Sequence, residues 1–417
     1  MKNDYDIVIV GGGMVGASLA CALAPLSLKI AIIEQFPFRS ESQPSFDDRS
    51  TALAYGSRQI FQTMGLWELI AENVSPINRI HISDRGHFGA TRLDSRQLDV
   101  EALGYVIENR VLGYGLQSLL GSMANVDSIC PAEVMHIDIR EDAADVQIIE
   151  NDQPRTLTTS LVVAADGSQS IIRQQLGLPV KSWDYGQTAL ISNVAISQPH
   201  QQVAYERFTD TGPLALLPMQ DMIDEGQAIS RCSLVWTLRN EQLDEYMAMS
   251  DADFLQKLQQ RFGRRLGEFI RVGSRHSYPL RMIRVPEQVQ SRVALIGNAA
   301  HTLHPVAGQG YNLGVRDVAV LSKVLAEAVN GVKDIGDLQV LNEYAQWRRR
   351  DHRRVMAFTD GLVRIFSSPL FPVKMVRGLA LTALDFMPPL KKVLGRHTMG
   401  LSTDTPHLSG VSVKRDR

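Results

Sequence analysis

The 417-residue chain predicts an α/β protein of two lobes with a helical C-terminal region, and three observations carry that expectation. A short apolar run, Asp6 to Val10, leads into Gly11-Gly-Gly-Met-Val-Gly16 and then into a helical pattern of small residues at Ala17, Ala20, Cys21 and Ala24. Alternation of apolar and polar residues, the signature of sheet, dominates from Ala132 to Ala165 and returns in pieces between residues 185 and 280. Beyond Asp337 the periodicity is helical to about Gly400, and a polar tail completes the chain.

The length exceeds what one hydrophobic core usually serves, and 44% hydrophobic with 21% charged residues suits a globular chain. A net charge of -2 gives no general attraction to nucleic acid, and none is expected as a partner. Cys21, Cys130 and Cys232 lack the spacing of a disulfide framework or metal site. With no basic region or cleavage-like site at the N-terminus, they suggest reduced thiols in a cytoplasmic protein. The most apolar stretch, Val355 to Leu394, is interrupted by Asp360, Arg364, Lys374, Arg377 and Asp385, so it does not span a bilayer.

In order, Asp6 to Val10 reads as a buried strand, Met14 to Leu26 as a helix and Lys29 to Glu34 as a second strand. Gln35 to Asp48, rich in Ser, Pro and Phe, reads as an irregular loop. Helical patterns come next at Ser57 to Asn73 and Val111 to Met123, then a strand region ending in Leu161-Val-Val-Ala-Ala165. Strand-like pieces at Ala189 to Ile196, Ala215 to Pro218 and Arg231 to Thr237 surround one amphipathic helix near Ala252 to Gly263. Val293 to Gly297 is a further short strand and Gly310 to Asn330 a long helix. This organisation divides the chain into a cofactor lobe from residues 1–75, 100–180 and 275–350, an inserted β-sheet substrate lobe from 76–99 and 181–274, and a helical C-terminal region with tail, 351–417.

The spacing Gly11, Gly13, Gly16 between strand and helix is that of a Rossmann-like dinucleotide site. The first glycine makes the tight turn, the second admits the pyrophosphate to the backbone, and the third lets helix and strand pack closely. Phosphate then faces free amides at the positive end of the helix. Glu34, ending the second strand, is placed to accept from ribose hydroxyls. This motif alone does not separate FAD from NAD.

Two further segments do. Asp166-Gly167-Ser-Gln-Ser170-Ile-Ile-Arg173 comes after the apolar strand, and Gly297-Asn298-Ala-Ala-His301 runs on to Pro305, Gly308-Gln309-Gly310, Asn312, Gly314 and Asp317. Both resemble the cofactor motifs of the FAD-dependent aromatic-ring hydroxylases. The resemblance implies FAD, held through these two motifs, and NAD(P)H as electron donor, with Asp166 contributing to both. Asp48-Arg49-Ser-Thr-Ala-Leu53 and Asn109-Arg110-Val-Leu resemble that family's loops bringing Arg49 and Arg110 to the cofactor; a guanidinium suits pyrophosphate or a flavin carbonyl. Gly308-Gln309-Gly310 precedes a helix whose N-terminus favours negative charge on a reduced flavin. Asn298 departs from the family, which mostly has aspartate there; the amide keeps an acceptor but loses the charge.

Ile82-Ser-Asp-Arg-Gly86-His, Tyr205-Glu-Arg-Phe208, Gly212-Pro-Leu-Ala-Leu-Leu-Pro218 and the Gly-Asn-Ala-Ala variant resemble the ubiquinone-biosynthesis branch. That branch implies a polyprenylated phenol as substrate and molecular oxygen as co-substrate, the ring being hydroxylated through a flavin hydroperoxide. No catalytic side chain stands out. Two alternatives stay open: hydroxylation of a small soluble phenol, and a non-catalytic FAD-binding subunit of a biosynthetic complex. His301 and His304 lie on a glycine- and proline-rich loop with no carboxylate close in sequence, so no metal is expected. The chain lacks hydrolase signatures.

From Leu341 to Arg417 there are 14 basic and 6 acidic residues. Arg348-Arg-Arg-Asp-His-Arg-Arg354 reads as a solvated helix face. Downstream, Phe366, Leu370, Phe371, Val376, Leu379, Leu381, Leu384 and Phe386 alternate with cations. That mixture suits peripheral contact with the inner face of a membrane, or with a biosynthetic complex.

Overall fold

The computed structural model describes residues 3–37, 49–86, 89–224, 226–303, 308–367 and 371–401. Its first large sheet is built on strand Tyr5–Val10, almost wholly buried, as a parallel strand covered on both faces must be. It pairs in parallel with Ile30–Ile33 on one side and Gln153–Ala164 on the other. Val293–Leu295 extends the sheet beyond Gln153–Ala164, and Val126–Ile129 lies outside Ile30–Ile33. Strand register sets the position of the turns. Val10 stands opposite Ala164, and Ala164 opposite Leu295, so three strands end level and release their turns side by side at the carboxyl edge, where open α/β sheets bind ligands.

The helix Met14–Leu23 is buried from Gly16 onward and packs against the long helix Gln309–Asn330. The small residues read from the sequence allow that close approach.

Among the described residues the second sheet has ten strands. Its centre is Lys181–Ile196 paired with Gln227–Arg239, and outward from it lie Pro213–Pro218, Val203–Phe208, Arg79–Asp84 and Ala90–Asp94. The helix Asp251–Phe262 covers one face, burying Trp236, Phe254 and Phe262 in a common core. Period-two alternation then aims Ile191, Ala215, Leu217 and Val235 at the opposite face, toward the first sheet. His276–Arg284, which the sequence grouped with the cofactor lobe, instead pairs antiparallel with Lys181–Ile196 in this second sheet. Its polar and apolar residues could serve either lobe; the ladder with Lys181–Ile196 assigns it.

A small third sheet, Ser50–Ala54, Gly104–Glu108 and Ser75–Ile77, replaces the loop expected around Leu53. Helices Leu338–Ser367, Phe371–Phe386 and Pro388–Thr398 close the described chain. Among the described residues, no helix is long and apolar enough to cross a membrane.

Candidate active site

The three level strand ends deliver the three glycine-bearing turns to one edge. Gly11 has φ +101°, and a Cβ on it would lie 2.5 Å from the Ala165 carbonyl oxygen; a Cβ on Gly16 would lie 1.9 Å from the Gly11 oxygen. Gly13 is the N-cap of helix Met14–Leu23, so the amides of that first turn have no intrahelical acceptor. Glu34 is buried; its Oε2 accepts from the Gly12 amide at 2.7 Å and its Oε1 from the Phe36 amide at 2.9 Å. Its carboxylate is thereby fixed beside the glycine turn.

Arg173 is buried too, and joins protein to protein. It donates to the Ala299 carbonyl at 3.0 Å and to the Ser168 carbonyl at 2.7 Å, tying the Asp166 turn to the Gly297 turn. Ser170 caps the short helix between them by accepting from the Arg173 amide. Asp166 Oδ2 accepts from the Ile172 amide at 3.3 Å, while its Oδ1 is buried without a partner; burial raises its pKa. Gly297 has φ +57°, and a Cβ there would stand 3.1 Å from Val15. Asn298 is exposed beside it and lines a cavity.

Gly308, left-handed at φ +60°, caps the helix Gln309–Asn330, and with Gly310 lines the same cavity. The amide of Asn312 is fully engaged. Its Oδ1 accepts from the Ala54 amide and the Ser57 hydroxyl, both at 2.7 Å, and its Nδ2 donates to the Ala52 and Gly308 carbonyls at 2.8 and 2.6 Å. Buried Gln309 donates to the Thr398 carbonyl at 3.2 Å. The Asn312 side chain therefore positions the glycine turn, with no hydrogen-bonding capacity left for a ligand. Arg49 lies over the Tyr278 ring, 4.6 Å from its centroid. Arg110, in the first turn of helix Asn109–Gly121, is exposed and donates to Glu108 at 2.7 Å; it is not among the residues lining the cavity. Pro305 and His304 lie outside the described residues.

Beneath the Gly297 turn sits a group of charges that sequence reading missed. Asp317 accepts from the Gly297 amide at 3.0 Å, from His301 at 2.6 Å, from Arg348 at 2.6 Å and from His352 at 2.8 Å. Arg348, Asp351 and His352 are buried, so the Arg348–Arg354 run is not a solvated face throughout. One side of the helix turns inward because buried Asp317 needs counter-charge; Arg349, Arg350, Arg353 and Arg354 stay exposed. Burial by itself would raise the Asp317 pKa, but His301, Arg348 and His352 hold it well below the usual carboxylate range. Burial pushes His352 down to about 3. It is neutral, its Nδ1 accepting from the Gln288 amide at 2.9 Å. The ligand atoms of His301, Asp317 and His352 lie within 4.8 Å of one another, as in a metal site, yet the guanidinium of Arg348 already supplies the cation.

The cavity measures about 580 Å³. One wall consists of Gly13 to Val15, Ala52 to Ala54, Gly297, Asn298, Gly308 and Gly310; the other is the sheet face carrying Ile80, Ile82, Ala204, Glu206, Phe208 and Ala215. Phe358, Leu381, Leu384 and Leu394 from the C-terminal helices cover it.

A dinucleotide fits this set of residues: Gly11 and Gly16 with no room for a Cβ, helix-start amides, the fixed Glu34, the unpartnered Asp166 oxygen and the open Asn298 amide. A parallel-sheet cofactor lobe meeting a mainly antiparallel sheet across an apolar cavity defines the architecture of a flavin-dependent aromatic hydroxylase. The p-nitrophenol 4-monooxygenase PnpA of Pseudomonas putida DLL-E4 has this fold, with a TM-score of 0.77 at 18% identity over 97% of this chain and 100% of that one. Residues 4–359 match the FAD binding domain family, and the chain belongs to it. It is 37% identical to the ubiquinone hydroxylase UbiL of Rhodospirillum rubrum over 97% of this chain and 92% of UbiL. It is 31% identical to the 3-demethoxyubiquinol 3-hydroxylase of Escherichia coli K12, over 95% of this chain and 98% of that enzyme.

Proposed function

We propose that this protein hydroxylates the aromatic ring of a polyprenylated phenol in ubiquinone biosynthesis, with FAD as cofactor, molecular oxygen as co-substrate and NAD(P)H as electron donor. The observation that carries the reading is the cavity itself. Its glycine turns present backbone to a dinucleotide, and its facing wall is apolar sheet suited to an aromatic ring and a hydrocarbon chain. FAD bound there supplies, once reduced, the electrons that activate oxygen. The chain's own residues bind, orient and exclude water: Gly11 to Gly16 and Glu34 hold the dinucleotide, Asn298 and the Gly308 to Gly310 turn meet the flavin, and Leu381, Leu384 and Leu394 shield the ring.

A substrate with a polyprenyl chain resides in lipid, and the helical cover supports contact with a membrane surface. Phe386 is 79% exposed and Val393 67% exposed, with Met387 and Leu390 also exposed. Lys392 stands among them, and Leu384 and Leu394 on the same segment line the cavity. An apolar patch rimmed by cations is the composition of an interfacial anchor.

Mass spectrometry of quinone precursors in cells lacking the protein tests the assignment. A prenylated phenol one oxygen short of the next precursor accumulates if it holds. An unchanged precursor profile contradicts it.

A further inference from the structure

Among the described residues lining the cavity, one carries a carboxylic acid. Glu206 lies in strand Val203–Phe208, registered with Ala215 on one neighbour and Ile82 on the other. Alternation places Ala204, Glu206 and Phe208 on one face, and all three line the cavity with Ile82 and Ala215. Glu206 is therefore a carboxylate set in an apolar wall, and it is the only one among the described lining residues. A charged group in such surroundings is expensive unless it has a function or a partner.

The titratable groups around it are engaged elsewhere. Of its neighbours, Tyr205, which also lines the cavity, packs its ring against Phe262 and His81, and Arg207 donates to the Phe262 carbonyl. On strand Gln227–Arg239, Arg231 pairs with Glu108 at 3.0 Å. On the covering helix Asp385 pairs with Arg92 at 3.1 Å and Lys391 at 2.7 Å. Asp84, at the end of strand Arg79–Asp84, is registered with Phe208.

We propose that Glu206 is a catalytic base that accepts the phenolic proton of the aromatic substrate. The proposal rests on the cavity being the phenol site. The substrate O–H bond breaks and an O–H bond forms on the Glu206 carboxylate, while the electron pair stays on the substrate oxygen. Conjugation of that oxygen with the ring enriches the ring carbon that receives oxygen from the flavin side. The carboxyl afterwards returns its proton to the product oxygen, so no net proton is consumed by Glu206. Burial raises the Glu206 pKa to about 7, which suits a group that takes up and gives back a proton near neutral pH.

The test uses the FAD-loaded protein, 2-geranylphenol and its O-methyl ether, with variants E206Q and E206L. Binding is read by calorimetry, independently of turnover. Wild type favours the phenol over the ether by about tenfold or more, the value of a hydrogen bond to a charged group, and E206L abolishes that preference. In turnover, kcat/KM of wild type rises with pH through about 7. E206Q removes this limb and lowers kcat by roughly 10²-fold or more, with flavin content and NAD(P)H-driven flavin reduction retained. An unchanged phenol preference in E206L, or wild-type rates and pH profile in E206Q, overturns the role of Glu206. Failure of wild type to bind or hydroxylate the phenol at all overturns the reading of the cavity instead.

Discussion

Arg173 donates to the carbonyl of Ala299 at 3.0 Å, and that bond makes one frame of two turns whose sequences lie far apart. Replacing Arg173 with Ala leaves the buried Ala299 carbonyl unpaired and removes the tie to Ser168, a loss of about 1.5–3 kcal/mol. A lower denaturation midpoint and weaker FAD retention on gel filtration are expected of R173A. R173K recovers less than half of the lost stability, because an ammonium lacks the guanidinium fork that reaches both carbonyls.

At the first turn neither Gly11 nor Gly16 has room for a Cβ. In G16A the new Cβ would stand 1.9 Å from the Gly11 oxygen, forcing helix and turn apart. Purified G16A is expected to lack the visible flavin absorbance of wild type; a full complement of flavin would refute the cradle described for this turn.

The Asp317 network predicts an acid limit to stability. His352, held down to about 3 when folded, is neutral in the folded state but takes up a proton in the unfolded chain below about 6.5. Asp317 is held well below its ordinary value when folded, so its contribution is present above about 4 and falls away as pH drops further. Both effects lower stability on acidification, His352 first. Urea titrations across this range should show the decline, and H352Q should flatten its upper part. D317N leaves Asp351 as the one carboxylate paired with both buried Arg348 and buried Arg316 and is expected to destabilise by about 3–5 kcal/mol, read as a lower thermal midpoint.

The proposed membrane contact depends on exposed side chains and not on the cavity. F386S/V393S, together with L390S, is expected to lower flotation with anionic liposomes several-fold while flavin content stays unchanged. Truncation after Gly361 should abolish flotation. Equal flotation of wild type and both variants would exclude these helices as a membrane anchor.

What could be read from the sequence was what is local. Asp6 to Glu34 encodes strand, turn and helix by periodicity and glycine spacing, and the structure returns Tyr5–Val10, Met14–Leu23 and Ile30–Ile33. The alignment of the three turns was not legible, because it depends on parallel register between strands more than a hundred residues apart. Nor was the inward side of helix Leu338–Ser367: a run of arginines reads as solvated until Asp317 is known to lie buried against it. Asn312 and Arg173 were expected at the cofactor from their motif; their side chains tie the turns together, and Asn312 also lines the cavity. Glu206 was visible only as one letter of Tyr205-Glu-Arg-Phe208, since its meaning comes from the apolar strands on either side.

That this cavity brings an aromatic ring, FAD and oxygen together is tested most directly by supplying the FAD-loaded protein with NAD(P)H, 2-geranylphenol and isotopically heavy oxygen gas, then weighing the product. The expected product is a hydroxylated ring carrying one heavy oxygen atom. Consumption of NAD(P)H with no oxygenated ring, or a ring oxygen derived from water, would contradict the proposed chemistry.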